Sequence, residues 1–492
     1  MTRARAQGPL ITRRTLLRSA VVGAGALGMW QAGLRPVAAQ VPELYEPTWE
    51  SLDQHPLPQW FQDAKFGIFI HWGVFSVPAW GPRGSYAEWY PVYMRQPNHP
   101  TYAYHRATYG ADFAYRDFIP MWRAEHWDPD AWAELFHRAG ARYVVLVGEH
   151  HDGFPLWDSQ YNRWNSVQMG PRRDFVSELA EATRRLGMKY SASYHAFLSN
   201  YSPEHDGPHP WYQSASTRPQ YMEMTNAKLR ELIELCDPDI LWLDGDWNFS
   251  YTVYGTLPTL AWYYNRAAAR GQEVAANDRL GRVRGEHGDF YTQEYDYDSD
   301  QGVAHYWENT RGMAGSFGFN QNEPPEDYLT LPELVELLVD TVSRRGNLLL
   351  NVGPRADGTI NDIQTDLLEG LGRWLDINGE AIYGTTIHTV QEGQTAEGLE
   401  VRYTATSTPR DHVYAILLGR PGDVVTLPAA DLPPLRPSDR VDLLGAPPRL
   451  RWHRDGDRIV VTIPRGVRLP DQPAHTLRFT RHGIPDGWRT QR

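Results

Sequence analysis

One cysteine, Cys236, occurs in 492 residues. No intrachain disulfide can form, and stability has to come from a buried core. Beyond residue 39 no run is apolar enough or long enough to cross a bilayer. The first strand-like segment leads into His71-Trp72-Gly73-Val74, not into the glycine-rich phosphate turn of a nucleotide-binding doubly wound sheet. H-x-H and H-E-x-x-H spacings are missing, as are internal repeats and low-complexity segments.

The amino-terminal 39 residues differ in character from the rest of the chain. Thr12-Arg13-Arg14-Thr15-Leu16-Leu17-Arg18 is a twin-arginine pattern, Ser19 to Trp30 is short and rich in Gly and Ala, and Val37-Ala38-Ala39 is a small-residue cleavage site. Residues 1–39 are therefore expected to be a signal for export of a folded chain, to the periplasm or outside the cell. With Cys236 far from the cleavage site, a lipid-anchored lipoprotein is excluded. The leader carries six arginines and no acid, which leaves 42 basic against 60 acidic residues, a net charge of −18. That balance argues against nucleic acid or an anionic membrane surface as partner. Trp (19) and Tyr (27) are abundant, enough to serve core packing and stacking platforms for sugar rings.

From about Gln59 to Ile387 short β-rich runs alternate with helix-like stretches. Strands are expected at Phe66–His71, Tyr143–Gly148, Lys189–Tyr194, Ile240–Leu243, Glu273–Ala276, Asp289–Thr292, Ala314–Phe319 and Asn347–Val352. Helices are expected at Pro129–Ala139 after Asp128, Phe175–Leu186 after Asp174, Ser214–Cys236 and Leu331–Arg345. Eight strands alternating with helices predict an α/β fold, a (β/α)8-type TIM-like barrel over residues 40–388, irregular in its second half. Residues 389–492 are short alternating strands between Pro, Gly and Asp turns, the pattern of an antiparallel β-sandwich, with a frayed tail from Ile484.

A barrel of this kind carries its chemistry at the carboxyl ends of its strands. There the sequence places His71-Trp72, Glu149-His150-His151-Asp152, Tyr194-His195, Asp244, Asn277-Asp278-Arg279, Glu294 and Phe317. Asp244 closes the apolar run LCDPDILWLDGDW (235–247), and Glu294 lies in GDFYTQEYDY (288–297). Either acid alone is commonplace in a chain with 60 of them. Two acids on the ends of two strands, among aromatics and histidines, suit hydrolysis of a sugar acetal, which needs a nucleophile or base and an acid. His71, His150, His151, Asp152 and His195 could alternatively ligate Zn, but adjacent histidines on a strand point to opposite faces unless the strand breaks there. Hydrogen bonds to sugar hydroxyls use the same groups with less geometric demand, and no metal or cofactor is expected.

WFQDAKFGIFIHWGVFSVPAW (60–80), SYAEWY (85–90), EHHDGFPLW (149–157), WNS (164–166), GPRRDFV (170–176), LWLDGDW (241–247), NDR (277–279), SFGFNQNE (316–323) and GNLLLNVGPRADGTI (346–360) together resemble the α-L-fucosidases of glycoside hydrolase family twenty-nine. The resemblance runs in order from about residue 42 to about 388. It implies a retaining hydrolase of terminal α-linked L-fucose, with Asp244 as nucleophile and Glu294 as acid/base. By the same resemblance His71, Glu88, Trp89, His150, His151, Tyr194 and Arg279 hold the sugar, and Tyr86 and Phe317 wall the pocket. Glu149 departs from the Lys usual before His-His-Asp-Gly-Phe and is expected to add negative charge near the pocket rim. Rival readings are a fucose-binding protein without catalysis and a glycosidase acting on L-galactose or on sulfated fucosides. The expected partner is a fucosylated glycan or glycoside; linkage, aglycone and oligomeric state are not legible. The carboxy-terminal domain is expected to brace the barrel, since it shows no aromatic row.

Overall fold

The computed structural model describes residues 44–295, 304–407, 411–446 and 449–480. The expected leader, the expected tail and residues 296–303 lie outside them. All elements of the fold belong to the unit Tyr45–Arg492.

Eight parallel strands form the sheet of the first domain: β1 (Phe66–Ile70), β2 (Tyr143–Glu149), β3 (Lys189–Tyr194), β4 (Ile240–Leu241), β5 (Ala275–Ala276), β6 (Tyr291–Glu294), β7 (Trp307–Gly312) and β8 (Gly346–Val352). Six pair in the order β3-β2-β1-β8-β7-β6, and β4 pairs with β5. Parallel bridges Tyr194↔Leu243 and Asn277↔Phe290 join the two groups, so the sheet closes into the expected barrel. Period-two alternation divides the strand side chains between two cores. Phe69, Tyr143, Val145, Trp242, Phe290 and Leu349 fill the barrel, while Phe66, Ile68, Val144, Leu146, Leu348 and Leu350 meet the surrounding helices. Gly67 is required by this packing, because a Cβ there would lie 2.5 Å from the Tyr143 ring.

The helices start where local chemistry dictates. Asp128 accepts from Ala131 N (3.0 Å) to cap α1 (Pro129–Arg138), and Asp174 accepts from Ser177 N (3.0 Å) to cap α2 (Phe175–Arg185). Each such cap is worth about 1 kcal/mol. Helix α3 (Arg218–Cys236) begins later than expected, with Pro219 in its first turn where no N–H is needed. Then come α4 (Thr256–Ala269), α5 (Leu331–Ser343), which opens on a Thr330/Glu333 capping box, and α6 (Asp362–Asn378).

The seventh strand corrects the sequence reading. Ala314–Phe319 is a loop, and the strand is Trp307–Gly312. WENTRG has no hydrophobic period because its inward groups are polar and satisfied inside the barrel. Glu308 accepts from Tyr143 (2.5 Å) and Trp242 Nε1 (2.8 Å), and Thr310 donates to Gln293 O (3.1 Å). The sixth strand is also shifted, so that Glu294 is its last residue.

The carboxy-terminal strands are β9 (Thr385–Gln394), β10 (Glu400–Thr406), β11 (His412–Leu417), β12 (Val424–Pro428), β13 (Arg440–Leu443), β14 (Arg451–Asp455), β15 (Arg458–Thr462) and β16 (His475–Thr480). They form antiparallel sheets ordered β13-β16-β11-β10-β9 and β12-β15-β14, around a core that includes Val401, Tyr403, Val425, Leu427, Val461 and Phe479. The five-stranded sheet meets α5 and α6 through Arg402–Asp340 (2.6 Å), Arg344–Glu392 (2.5 Å) and Trp374 Nε1 donating to Ala474 O (3.0 Å).

Candidate active site

Asp244 follows β4, with its amide donating to Tyr194 O (3.1 Å). Gly245 then turns the chain at φ +100°, and a Cβ there would lie 2.9 Å from Leu198 Cγ. Arg279, beyond β5, donates from Nη1 to Asp244 Oδ1 (2.6 Å) and from the same nitrogen to Glu294 Oε1 (2.8 Å). The sum of those two lengths, 5.4 Å, is the largest separation these carboxylate oxygens can have. Arg279 is itself fixed: Nε donates to Thr292 Oγ1 (2.8 Å), Thr292 donates to Asp278 (2.7 Å), and the guanidinium lies 4.9 Å from the Trp242 ring centre. Asp244 is the deeper acid, with 11 % of its side chain exposed against 35 % for Glu294.

Burial works to raise the Asp244 carboxyl, but Arg279, His195 and His151 outweigh it and hold the group well below the usual carboxylate range. The other Asp244 oxygen, Oδ2, lies 3.3 Å from both His151 Nε2 and His195 Nδ1. Asp244 is thus an anion at neutral pH, in a dry setting, and ringed by donors.

Four imidazoles line this floor. β2 ends at Glu149 and the chain turns at His150, so His150 and His151 avoid opposite faces and their rings lie 4.7 Å apart. His71 Nδ1 lies 2.6 Å from Asn351 Oδ1, while Asn351 Nδ2 donates to Phe317 O (2.6 Å). The Asn351 oxygen is therefore the acceptor and His71 Nδ1 the donor, which leaves Nε2 as an acceptor. Burial pushes His71 down to about 4, and it pushes His150 and His195 well below the ordinary histidine value. These three rings are neutral at pH 7.

Glu88 is buried beside Phe317. Gly318 N donates to its Oε2 (2.8 Å), with the Ser316 hydroxyl 3.1 Å from the same oxygen. Burial, only partly offset by those bonds, raises Glu88 to about 7. Phe317 packs on His71 (4.8 Å between centres) and on Tyr86 and Tyr295 (5.5 Å each). Trp89 packs on His151 (5.1 Å) and His150 (6.4 Å). The two aromatic groups line two sides of the histidine cluster. Among the described residues His150 Nδ1, His151 Nδ1 and Arg279 Nη2 are buried without a hydrogen-bond partner. Leaving such groups unpaired is costly, and hydroxyls of a polyol would satisfy them.

Ten of the eleven residues singled out from the sequence meet here. Tyr194 does not. As the last residue of β3 it points outward, donates to Thr225 O on α3 (3.2 Å) and packs under Lys228. Its neighbour His195, on the opposite face, enters the site instead. Glu149 also corrects the sequence reading. Its side chain is wholly buried against Lys228 of α3 at 2.5 Å, so it adds no charge to the rim. Residues that the sequence reading left out are Asn351, Thr292, Trp242, Glu308 and Tyr295. Their signal is weak, since each acts through a neighbour or sits where the seventh strand was misplaced.

Two sets have cation-binding donors and spacing: His71, His150 and His195, and His151, His195 and Asp244, with ligand atoms within 4.8 Å in each. In this structure Asp244 spends its charge on the Arg279 guanidinium, and a buried cation already beside it disfavours a second. A groove of about 670 Å³ along α3, lined by Tyr161, Met222, Arg230, Glu231 and Val253, brings together none of the strand-end groups.

A family profile described as Alpha-L-fucosidase matches residues 34–380. An alpha-L-fucosidase of Branchiostoma floridae is 38% identical over 444 residues, covering 88% of this chain and 95% of that one. The plasma alpha-L-fucosidase of Homo sapiens is 40% identical over 388 residues, covering 77% of this chain and 79% of its own. Among solved structures, the Thermotoga maritima alpha-fucosidase in complex with fucose superposes with a TM-score of 0.76 at 37% identity, over 89% of this chain and 100% of that one.

Proposed function

The chain belongs to the α-L-fucosidase family, and from that premise we propose that it is an exo-acting retaining hydrolase releasing terminal L-fucose from α-L-fucosides. The observation that carries the mechanism is the single Arg279 nitrogen shared by Asp244 and Glu294, which keeps their nearest oxygens within 5.4 Å. Retaining glycosidases hold their two carboxyls roughly 5–5.5 Å apart, whereas inverting enzymes leave a wider gap for water.

Asp244 is the nucleophile. It is kept anionic, and its Oδ2 attacks the anomeric carbon while the bond to the leaving oxygen breaks. Glu294, nearer the mouth, turns from Arg279 to give its proton to that oxygen. A water that then loses its proton to Glu294 attacks the fucosyl–Asp244 ester and releases L-fucose with its configuration retained. Neutral His71 offers Nε2 to a sugar O–H, His150 and His151 offer ring nitrogens, His195 stands between Ser193 and Asp244, and Arg279 stabilises charge on both acids. The Phe317, Tyr86 and Trp89 rings supply apolar faces for the ring carbons and the methyl group. The twin-arginine leader supports export of the folded enzyme; fractionation of cells making the full chain, with antibody detection, tests it, and retention in the cytoplasm contradicts it.

The test of the activity is hydrolysis of an aryl α-L-fucoside followed by NMR. Release of the α-anomer first is expected. First release of the β-anomer would overturn the retaining mechanism, and no release from aryl or natural fucosides would overturn the activity.

A further inference from the structure

Trp247 lies three residues beyond Asp244, at the outer side of His151 and Trp89. It leaves 43% of its surface exposed, a large apolar area to keep in water. Its backbone is nonetheless fixed. Arg282 Nε donates to the Trp247 carbonyl (3.0 Å), the preceding Asp246 is buried and accepts from Arg284 (2.8 Å), and the following Asn248 donates to the Tyr212 hydroxyl (2.9 Å). The Trp247 ring centre lies 5.7 Å from that of His151 and 6.4 Å from that of Trp89. His151 in turn is 3.3 Å from Asp244. A held, solvent-facing aromatic plate therefore stands one layer of side chains out from the nucleophile.

We infer that Trp247 is the platform of an aglycone subsite, on which the first pyranose of the leaving saccharide lies with its C–H face against the indole. The exposed Arg282 and the partly exposed Arg284 flank it with donors for that sugar's hydroxyls. The ligand class is a fucosyl saccharide with a pyranose next to the fucose. This rests on the fucosidase reading. An aromatic plate contributes most when the partner is a flat apolar ring face.

The experiment compares kcat/KM for a fucosyl-α-1,2-galactose disaccharide and for α-L-fucosyl fluoride, whose leaving group occupies no aglycone subsite, in wild type, Trp247→Ala and Trp247→Phe. The disaccharide-to-fluoride ratio is expected to fall at least tenfold in Trp247→Ala, mainly through KM, and to stay within about threefold of wild type in Trp247→Phe. A ratio that moves less than twofold in Trp247→Ala, with fluoride still hydrolysed, overturns the subsite and leaves the activity standing. A ratio that falls equally in Trp247→Ala and Trp247→Phe overturns the stacking role. Failure of the wild type to hydrolyse the fluoride overturns the fucosidase reading itself.

Discussion

The two halves of the barrel are built differently. β1, β2, β3 and β8 run five to seven residues and are almost wholly buried, and β1, β2 and β8 are mostly apolar. β4 and β5 are two residues each, β6 is four residues and only partly buried, and β7 carries Glu308, Asn309 and Thr310 inward or at the interface. Among the described residues no helix separates β5 from β6. The first half holds itself together by burial and presents the four histidines. The second half is held by a polar chain, Glu308–Trp242–Arg279–Thr292–Asp278, and it presents the groups that carry charge. Robust packing and reactive groups are thus kept on different strands, so one half can be tuned electrostatically without loosening the other.

Substitutions should separate these roles. The largest effect is expected for Asp244→Ala, which removes the proposed nucleophile and should lower kcat by at least about 10⁴-fold; a rate near wild type in steady-state assays would end that assignment. Arg279→Met comes next. It leaves Asp244 buried without its cation, and breaking a buried pair this way costs about 3–5 kcal/mol, to be read from denaturant unfolding together with a loss of kcat/KM.

Leu350→Ala belongs to the other half. It should cost about 2–5 kcal/mol of stability through the cavity it leaves while the kcat/KM of the folded fraction stays near wild type. A change in the pH–rate profile there would blur the division between halves. The smallest effect is a pH dependence. Glu88 is raised to about 7 by burial, above its unfolded value near 4.3, so the folded state keeps a proton that the unfolded state has already lost. Stability supplied by neutral Glu88 is present at low pH and declines as pH rises from about 4.5 to about 7. Glu88→Gln should remove that slope when unfolding is measured across the window, and an unchanged slope would contradict it.

Legibility followed the same division. The long apolar strands, and the helices capped by Asp128 and Asp174, were plain from hydrophobic period and cap residues. β7 was not, because its Glu308 is satisfied by partners distant in sequence, Tyr143 and Trp242, and no local pattern marks such pairing. The aromatic run around Phe317 looked like a strand for the opposite reason: its apolar residues face a pocket and its backbone is bonded by Glu88. Tyr194 and His195 were both visible at a strand end, but only the register of β3 against β2 and β4 decides which of the two faces inward. Glu149 looked like a rim charge because its counter-ion, Lys228, lies 79 residues away on α3.

The central claim is that Asp244 and Glu294, joined through Arg279, act as nucleophile and acid/base. It is tested most directly by azide rescue of the two alanine variants on an aryl α-L-fucoside, with the configuration of the fucosyl azide read by NMR. Asp244→Ala should give the inverted β-azide, because azide attacks in place of the missing carboxylate. Glu294→Ala should give the α-azide with retained configuration, because azide attacks a fucosyl–Asp244 ester. The same configuration from both variants, or rescue of neither, would contradict the assignment.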